Sequence, residues 1–102
     1  MLAMDNYVDR LREILAELDA LAESLDGGEA EALEELNAEF DDALMLFDEL
    51  GGEDAREELD DALEELGALA GDYRALAERI DGVGPLAERL DMAAQMGRNL
   101  EL

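Results

Sequence analysis

"DNYVDRLREILAELDALAESLDGG", residues 5–28, decides how the rest of the chain is read. Its apolar residues fall at Tyr7/Val8, Leu11, Ile14/Leu15, Leu18, Leu21/Ala22 and Leu25, with Met4 just ahead, three positions per heptad kept in phase throughout. A helix of 3.6 residues per turn gathers those positions into one stripe, wide enough to face two neighbours, and leaves the charged residues between them to water. The spacing predicts a bundle helix over about 5–26, with Asp5 capping its start and Gly27-Gly28 supplying the left-handed turn that ends it.

The same pattern recurs three times downstream. A second helix is expected over about 29–50, with Leu33, Leu36, Phe40, Ala43/Leu44, Phe47 and Leu50 inward, Glu29 and Glu31 at its positive end, and Gly51-Gly52 as its stop. A third, over about 54–81, opens on the capping-box-like pair Asp54 and Glu57 and buries Leu59, Leu63, Leu66, Leu69, Tyr73 and Leu76 before Asp81-Gly82. A fourth, over about 85–101, starts with Pro85 at its first position, where a missing N–H costs nothing, and turns Leu86, Leu90, Ala93, Gly97 and Leu100 inward. No period-two alternation persists anywhere, and the short connections favour antiparallel sequential neighbours. The expected fold is a single all-α domain spanning residues 1–102, an antiparallel up-down four-helix bundle.

Composition narrows the chemistry. The chain has no Cys, His, Lys, Thr or Trp; all seven basic residues are Arg, and Ser24 is the only serine. Disulfides, thiolate or imidazole metal sites, and Cys or His nucleophilic and acid-base catalysis are thereby excluded. Thirty acidic residues against seven Arg give a formal charge of -23, a field that repels nucleic acid phosphates and anionic membranes and attracts basic partners. The apolar stretches fall short of the roughly 20 residues a membrane span needs, and no basic start with an apolar block marks a signal peptide, so the expected address is the cytoplasm.

Acidic runs such as "REELDDALEEL", residues 56–66, place carboxylates three and four apart on a helix face, as a divalent metal would require. No EF-hand loop is present, and the Glu-x-x-His of di-iron bundles has no His, so a solvated face is the expected role, without metal or cofactor. Carboxylate-only catalysis needs two carboxyls in a shaped cleft, and the expected outer-face positions provide none, so no enzyme activity or catalytic residue is assigned. Tyr7 and Tyr73 are expected in the core with their hydroxyls at its edge. Asn37 interrupts the inward edge of the second helix, where it could fix register or partner choice, but the expected role is an edge residue that water satisfies.

The run Ala43–Phe47, five apolar residues in a row, raises the question of partner contact. At about 100° per residue, Ala43, Leu44, Leu46 and Phe47 span roughly 160°, which two neighbours can cover; only Met45, with Leu46 at the edge, is left outside. Met92 and Met96, one turn apart beside the fourth stripe, are expected to fill core gaps, with partner contact or homodimer packing as the alternative role. The candidate partner contacts are therefore Met45, Leu46, Met92 and Met96.

With its in-phase stripes, paired-glycine loops, Pro85 at a helix start and absence of Cys, His and Trp, the whole chain resembles a de novo designed helical bundle. That resemblance implies a monomeric, self-folding scaffold with no biochemical activity and no required partner. A halophile's cytosol would also account for the acid excess and missing Lys, although the missing Thr and only two Val fit it poorly. A second resemblance covers about a third of the chain. Leu18 to Leu50, with Leu25, Gly27-Gly28, Leu33, Leu36, Phe40 and Leu44, is similar to the helical hairpin of small export chaperones of flagellar and related secretion systems. It implies an acidic binding module that grips an amphipathic client helix through Met45, Leu46, Met92 and Met96. Its charge alone would also allow a nucleic-acid mimic towards basic proteins.

Overall fold

The computed structural model describes residues 3–100. Four helices follow one another, α1 (Met4–Glu23), α2 (Gly27–Asp48), α3 (Ala55–Ala77) and α4 (Val83–Met96), and a single 3-10 turn, Gly97–Asn99, follows the last. Each helix packs on the next and α4 returns to α1, closing a ring. Their directions follow from which residues meet. Arg12 early in α1 reaches Asp48 at the end of α2, whereas Asp19 late in α1 reaches Asn37 in the middle of α2. Arg74 late in α3 meets Asp91 in α4, and Tyr7 early in α1 meets Ala93 late in α4. The expected antiparallel four-helix bundle is thus the fold, with extents of 45 × 20 × 19 Å.

Most of the stripe residues become core, while Leu15, Leu21, Leu25, Leu36, Leu50 and Leu76 stay half-buried at its edge. Leu11, Leu18, Leu33, Phe40, Leu59, Leu66, Tyr73 and Leu90 are fully buried, and each buried side chain of this size contributes about 1.5–3 kcal/mol relative to exposure. Two aromatic pairs tie neighbouring helices together: Tyr7 with Phe47 across α1 and α2, centroids 5.7 Å apart, and Phe40 with Tyr73 edge-on across α2 and α3, at 6.3 Å. In and beyond α4, Leu86, Leu90, Gly97 and Leu100 are buried as expected, Ala87 and Ala94 join them, and Ala93 is only half-buried.

The helix ends depart from the glycine and capping pattern. Before the glycines are reached, α1 stops at Ser24, whose hydroxyl donates to the Leu21 carbonyl at 2.7 Å while its N–H tightens onto the same carbonyl at 3.1 Å. Gly27, at φ +70, opens α2 instead of closing α1. Asp5 lies in the first turn of α1 and not at its cap, which is Ala3; among the described helices none has a side-chain hydrogen bond at its N-cap. Asp54 does occupy the cap position of α3, yet its carbonyl, not its carboxylate, accepts the Glu58 N–H at 2.9 Å, so the Asp54–Glu57 box is not made. The first-turn acids therefore act only through the field of the helix end. The third helix is shorter than expected. It stops at Ala77, because residues 78–82 form a turn that folds Ile80 into the core and reverses at Gly82, φ +98. Val83 starts α4, placing Pro85 third, still within the turn whose N–H groups have no partner in the helix. The fourth helix is also shorter than expected: it ends at Met96, where Gly97–Asn99 tighten into a 3-10 turn and Leu100 is extended, and residue 101 itself lies outside the described residues.

Candidate partner-binding surface

Asn37 is the residue whose placement most changes the reading of the molecule. It is not at a wetted edge but buried, 4% exposed, where α1, α2 and α3 meet. Its amide nitrogen donates to Asp19 Oδ1 at 2.9 Å, and its Oδ1 accepts the Tyr73 hydroxyl at 2.8 Å. An amide offers both a donor and an acceptor, so one side chain joins a carboxylate on α1 to a phenol on α3. The tyrosine hydroxyls are likewise inside and not at the edge of the core: that of Tyr7 donates to the Ala93 carbonyl on α4. Burial pushes both phenols well above their usual pKa, and at Tyr73 the carboxylates of Asp19 and Glu39 add to that effect. Among the described residues, every buried side-chain polar atom has a partner. These polar groups fix the register of the helices and are closed to a ligand.

Function must then be sought on the outside, where the four candidate contacts lie on two opposite flanks. Met45, 55% exposed, stands on the outer surface of α2 among Asp41, Asp48 and Glu49, and Leu46, 41% exposed, lies against the α2–α3 seam beside Asp42 and Glu65. Met92 and Met96 line a groove of about 290 Å3 between α1 and α4, with Arg10, Glu13, Ile14 and Arg89. Met92 is 61% exposed and Met96 is also exposed, so neither fills the core as expected. Both flank the buried face of α4, which runs through Leu86, Leu90, Ala94 and Gly97, and so they meet solvent. In a ring ordered α1, α2, α3, α4, the α1–α4 groove and the α2–α3 seam face away from each other, and no single client surface holds all four residues.

The seams differ in charge. Arg12–Asp48 crosses from α1 to α2, Arg74–Asp91 from α3 to α4, and Arg89–Glu17 from α4 to α1. Among the described residues no ion pair crosses the α2–α3 seam, and α2 contains no Arg. Two adjoining stretches run along that seam, about 470 and 330 Å3. The first is bounded by Leu36, Leu76 and Asp72, the second by Ala43, Leu46 and Glu65, and Glu39 belongs to both. A cleft between α3 and α4 is similarly open, about 600 Å3, but it contains Arg56 and Arg98 opposite Asp60, Glu64 and Asp91 and so carries its own counter-charges. Sequence periodicity leaves Leu46 at an edge but places Leu36 and Leu76 in the inward stripes, whereas both are only half-buried at an open seam. The missing signal was the absence of Arg from a whole 22-residue helix.

No helix among the described residues is long and apolar enough to cross a membrane, and no three acidic side chains among them are grouped to hold a metal ion. Compared with models of protein families, with curated proteins and with solved structures, the chain has no match.

Proposed function

We propose that the chain is a self-sufficient helical scaffold that performs no catalysis and needs no partner to fold. The observation that supports this reading is the closed core, in which the stripes of all four helices meet and the buried Asn37, Tyr7 and Tyr73 find partners in one another, the Asp19 carboxylate and the Ala93 carbonyl. Such a core outweighs the repulsion on the surface. Like-charged pairs one turn apart, such as Glu31/Glu35, Glu35/Glu39, Asp60/Glu64 and Asp61/Glu65, each cost about 0.2–0.5 kcal/mol at low salt, about 1–2 kcal/mol together. Far-UV circular dichroism melts of the isolated protein test this. A cooperative helical transition is expected in low salt, with the midpoint raised by roughly 4–16 °C at molar salt, taking about 4–8 °C per kcal/mol for a domain of this size. A chain that stays molten until salt or a basic partner is added would remove the scaffold reading.

An origin by design and a cytoplasmic setting, or an expression host's cytoplasm, belong to the same proposal. The in-phase stripes support design. The uncapped helix starts and the unrelieved acidity of the α2–α3 seam are features that idealised designs avoid. That seam favours a second reading, an acidic helical binding module for a basic or amphipathic partner, because its carboxylates lack the cation that each other seam contains.

A further inference from the structure

We propose that the α2–α3 seam is a docking groove for a cationic amphipathic helix of another protein. The inference rests on the binding reading above and gives it a location, a length and a partner chemistry. The floor is apolar: Leu36 and Leu76 are half-buried, Leu46 is exposed, and Ala32, Ala38 and Ala43 between them are small enough to let a guest backbone approach. The rim is acidic on both sides, with Glu35, Glu39 and Asp42 from α2 and Glu65 and Asp72 from α3. Glu39 borders both stretches, which together extend along α2 from Ala32 to Leu46, roughly 21 Å at 1.5 Å per residue, or about four helical turns.

Charge selects the occupant. Nucleic acid phosphates and the headgroups of anionic lipids are repelled by the rim. A second copy of this chain meeting the seam symmetrically would set the same carboxylates against each other, on top of a net charge of -23 on each molecule. A helix with a leucine stripe at i, i+3, i+4 and i+7, flanked by Lys or Arg, meets both demands: its stripe covers Leu36, Leu46 and Leu76, and its cations replace the ones this seam lacks. The α1–α4 groove around Met92 does not share the chemistry, because Arg10 and Arg89 stand beside its apolar side chains.

The test is a fluorescence anisotropy titration with a labelled synthetic helix of Leu and Lys, about four turns long, at low and at physiological salt. Wild-type protein is expected to bind it saturably. Glu39→Arg should weaken binding about tenfold, because it replaces an attraction in the middle of the groove with a repulsion, and Leu46→Gln about fivefold. Met92→Gln on the opposite flank should leave it within about twofold. All three positions are exposed, and circular dichroism of each variant checks that the fold is intact. Saturable binding that ignores Glu39→Arg and Leu46→Gln, or that Met92→Gln weakens, overturns the groove and leaves the binding reading standing. No saturable binding by any face removes both. Light scattering that finds a wild-type dimer, returned to monomer by Leu46→Gln, would assign the seam to a second copy and overturn the proposal.

Discussion

Asn37 and Tyr73 form a couple whose energy can be isolated. The Tyr73 ring is 0% exposed and its hydroxyl has Asn37 Oδ1 as its acceptor at 2.8 Å, so Asn37→Ala leaves a buried phenol donor without a partner. An orphaned group of this kind costs about 1–3 kcal/mol, to which the small cavity at residue 37 adds. Asp19 adds little, because it is exposed and returns to water. Tyr73→Phe removes the donor and leaves the amide its bond to Asp19, a loss of about 1 kcal/mol. The double variant lacks both the donor and the acceptor, and the cavity is common to the single and double changes. It should therefore be about 1–2 kcal/mol more stable than the sum of the two single losses predicts. Urea unfolding followed by far-UV circular dichroism, with all four proteins analysed at a common m-value, gives the coupling directly. Strict additivity would show that the hydroxyl draws no stability from Asn37, and the account of this amide as the pin joining three helices would fail.

Two further outcomes follow from the same side chains. Both phenols have a folded-state pKa raised by burial above the usual 10.0, so their contribution to stability is fully present below pH 10 and is lost above it, as the unfolded chain ionises and the folded one does not. The loss should approach about 1.4 kcal/mol per tyrosine per pH unit, and alkaline urea melts of a Tyr7→Phe/Tyr73→Phe variant should show a flatter decline; an equally steep one would contradict the burial effect. Gly97→Ala should destabilise the protein by about 1–3 kcal/mol in the same assay, because a Cβ there would stand 2.2 Å from Leu63 Cδ2 and 2.7 Å from the Tyr7 hydroxyl, which is itself held by the Ala93 carbonyl. A neutral result would mean that Leu63 swings aside without cost.

Helical periodicity made the bundle legible because four stripes in phase admit few other packings, and the chain is too short to hide a second architecture. Positions at the margins of a stripe were not legible. Asn37 sits where the α2 stripe is interrupted, and whether such a residue is wet or buried depends on a phenol 36 residues away that no local spacing reveals. Met92 and Met96 were misjudged for a related reason. They flank an α4 stripe that mixes Ala and Gly with Leu, and beside such a stripe the spacing does not say whether a long side chain turns inward or out to solvent. Helix ends were misjudged wherever a glycine pair could serve either neighbour: Gly27 belongs to the start of α2, because Ser24 had already closed α1. The α2–α3 seam needed the tertiary ring, since an acidic helix without Arg becomes a distinctive surface only once its neighbours are known.

The ring has four corners and the chain crosses only three of them. At the fourth, Met4 near the start of α1 and Leu100 beyond α4 border one cleft, beside Phe47 and Leu50. The polypeptide thus returns to where it set out, and its connectivity is separable from its packing. A short flexible linker across that corner, with the backbone opened between α2 and α3 at Gly51-Gly52, would give a circular permutant with the same core contacts and a different order of helices. Folding of such a molecule would depend on how the stripes fit together and not on the sequence in which the ribosome supplies them.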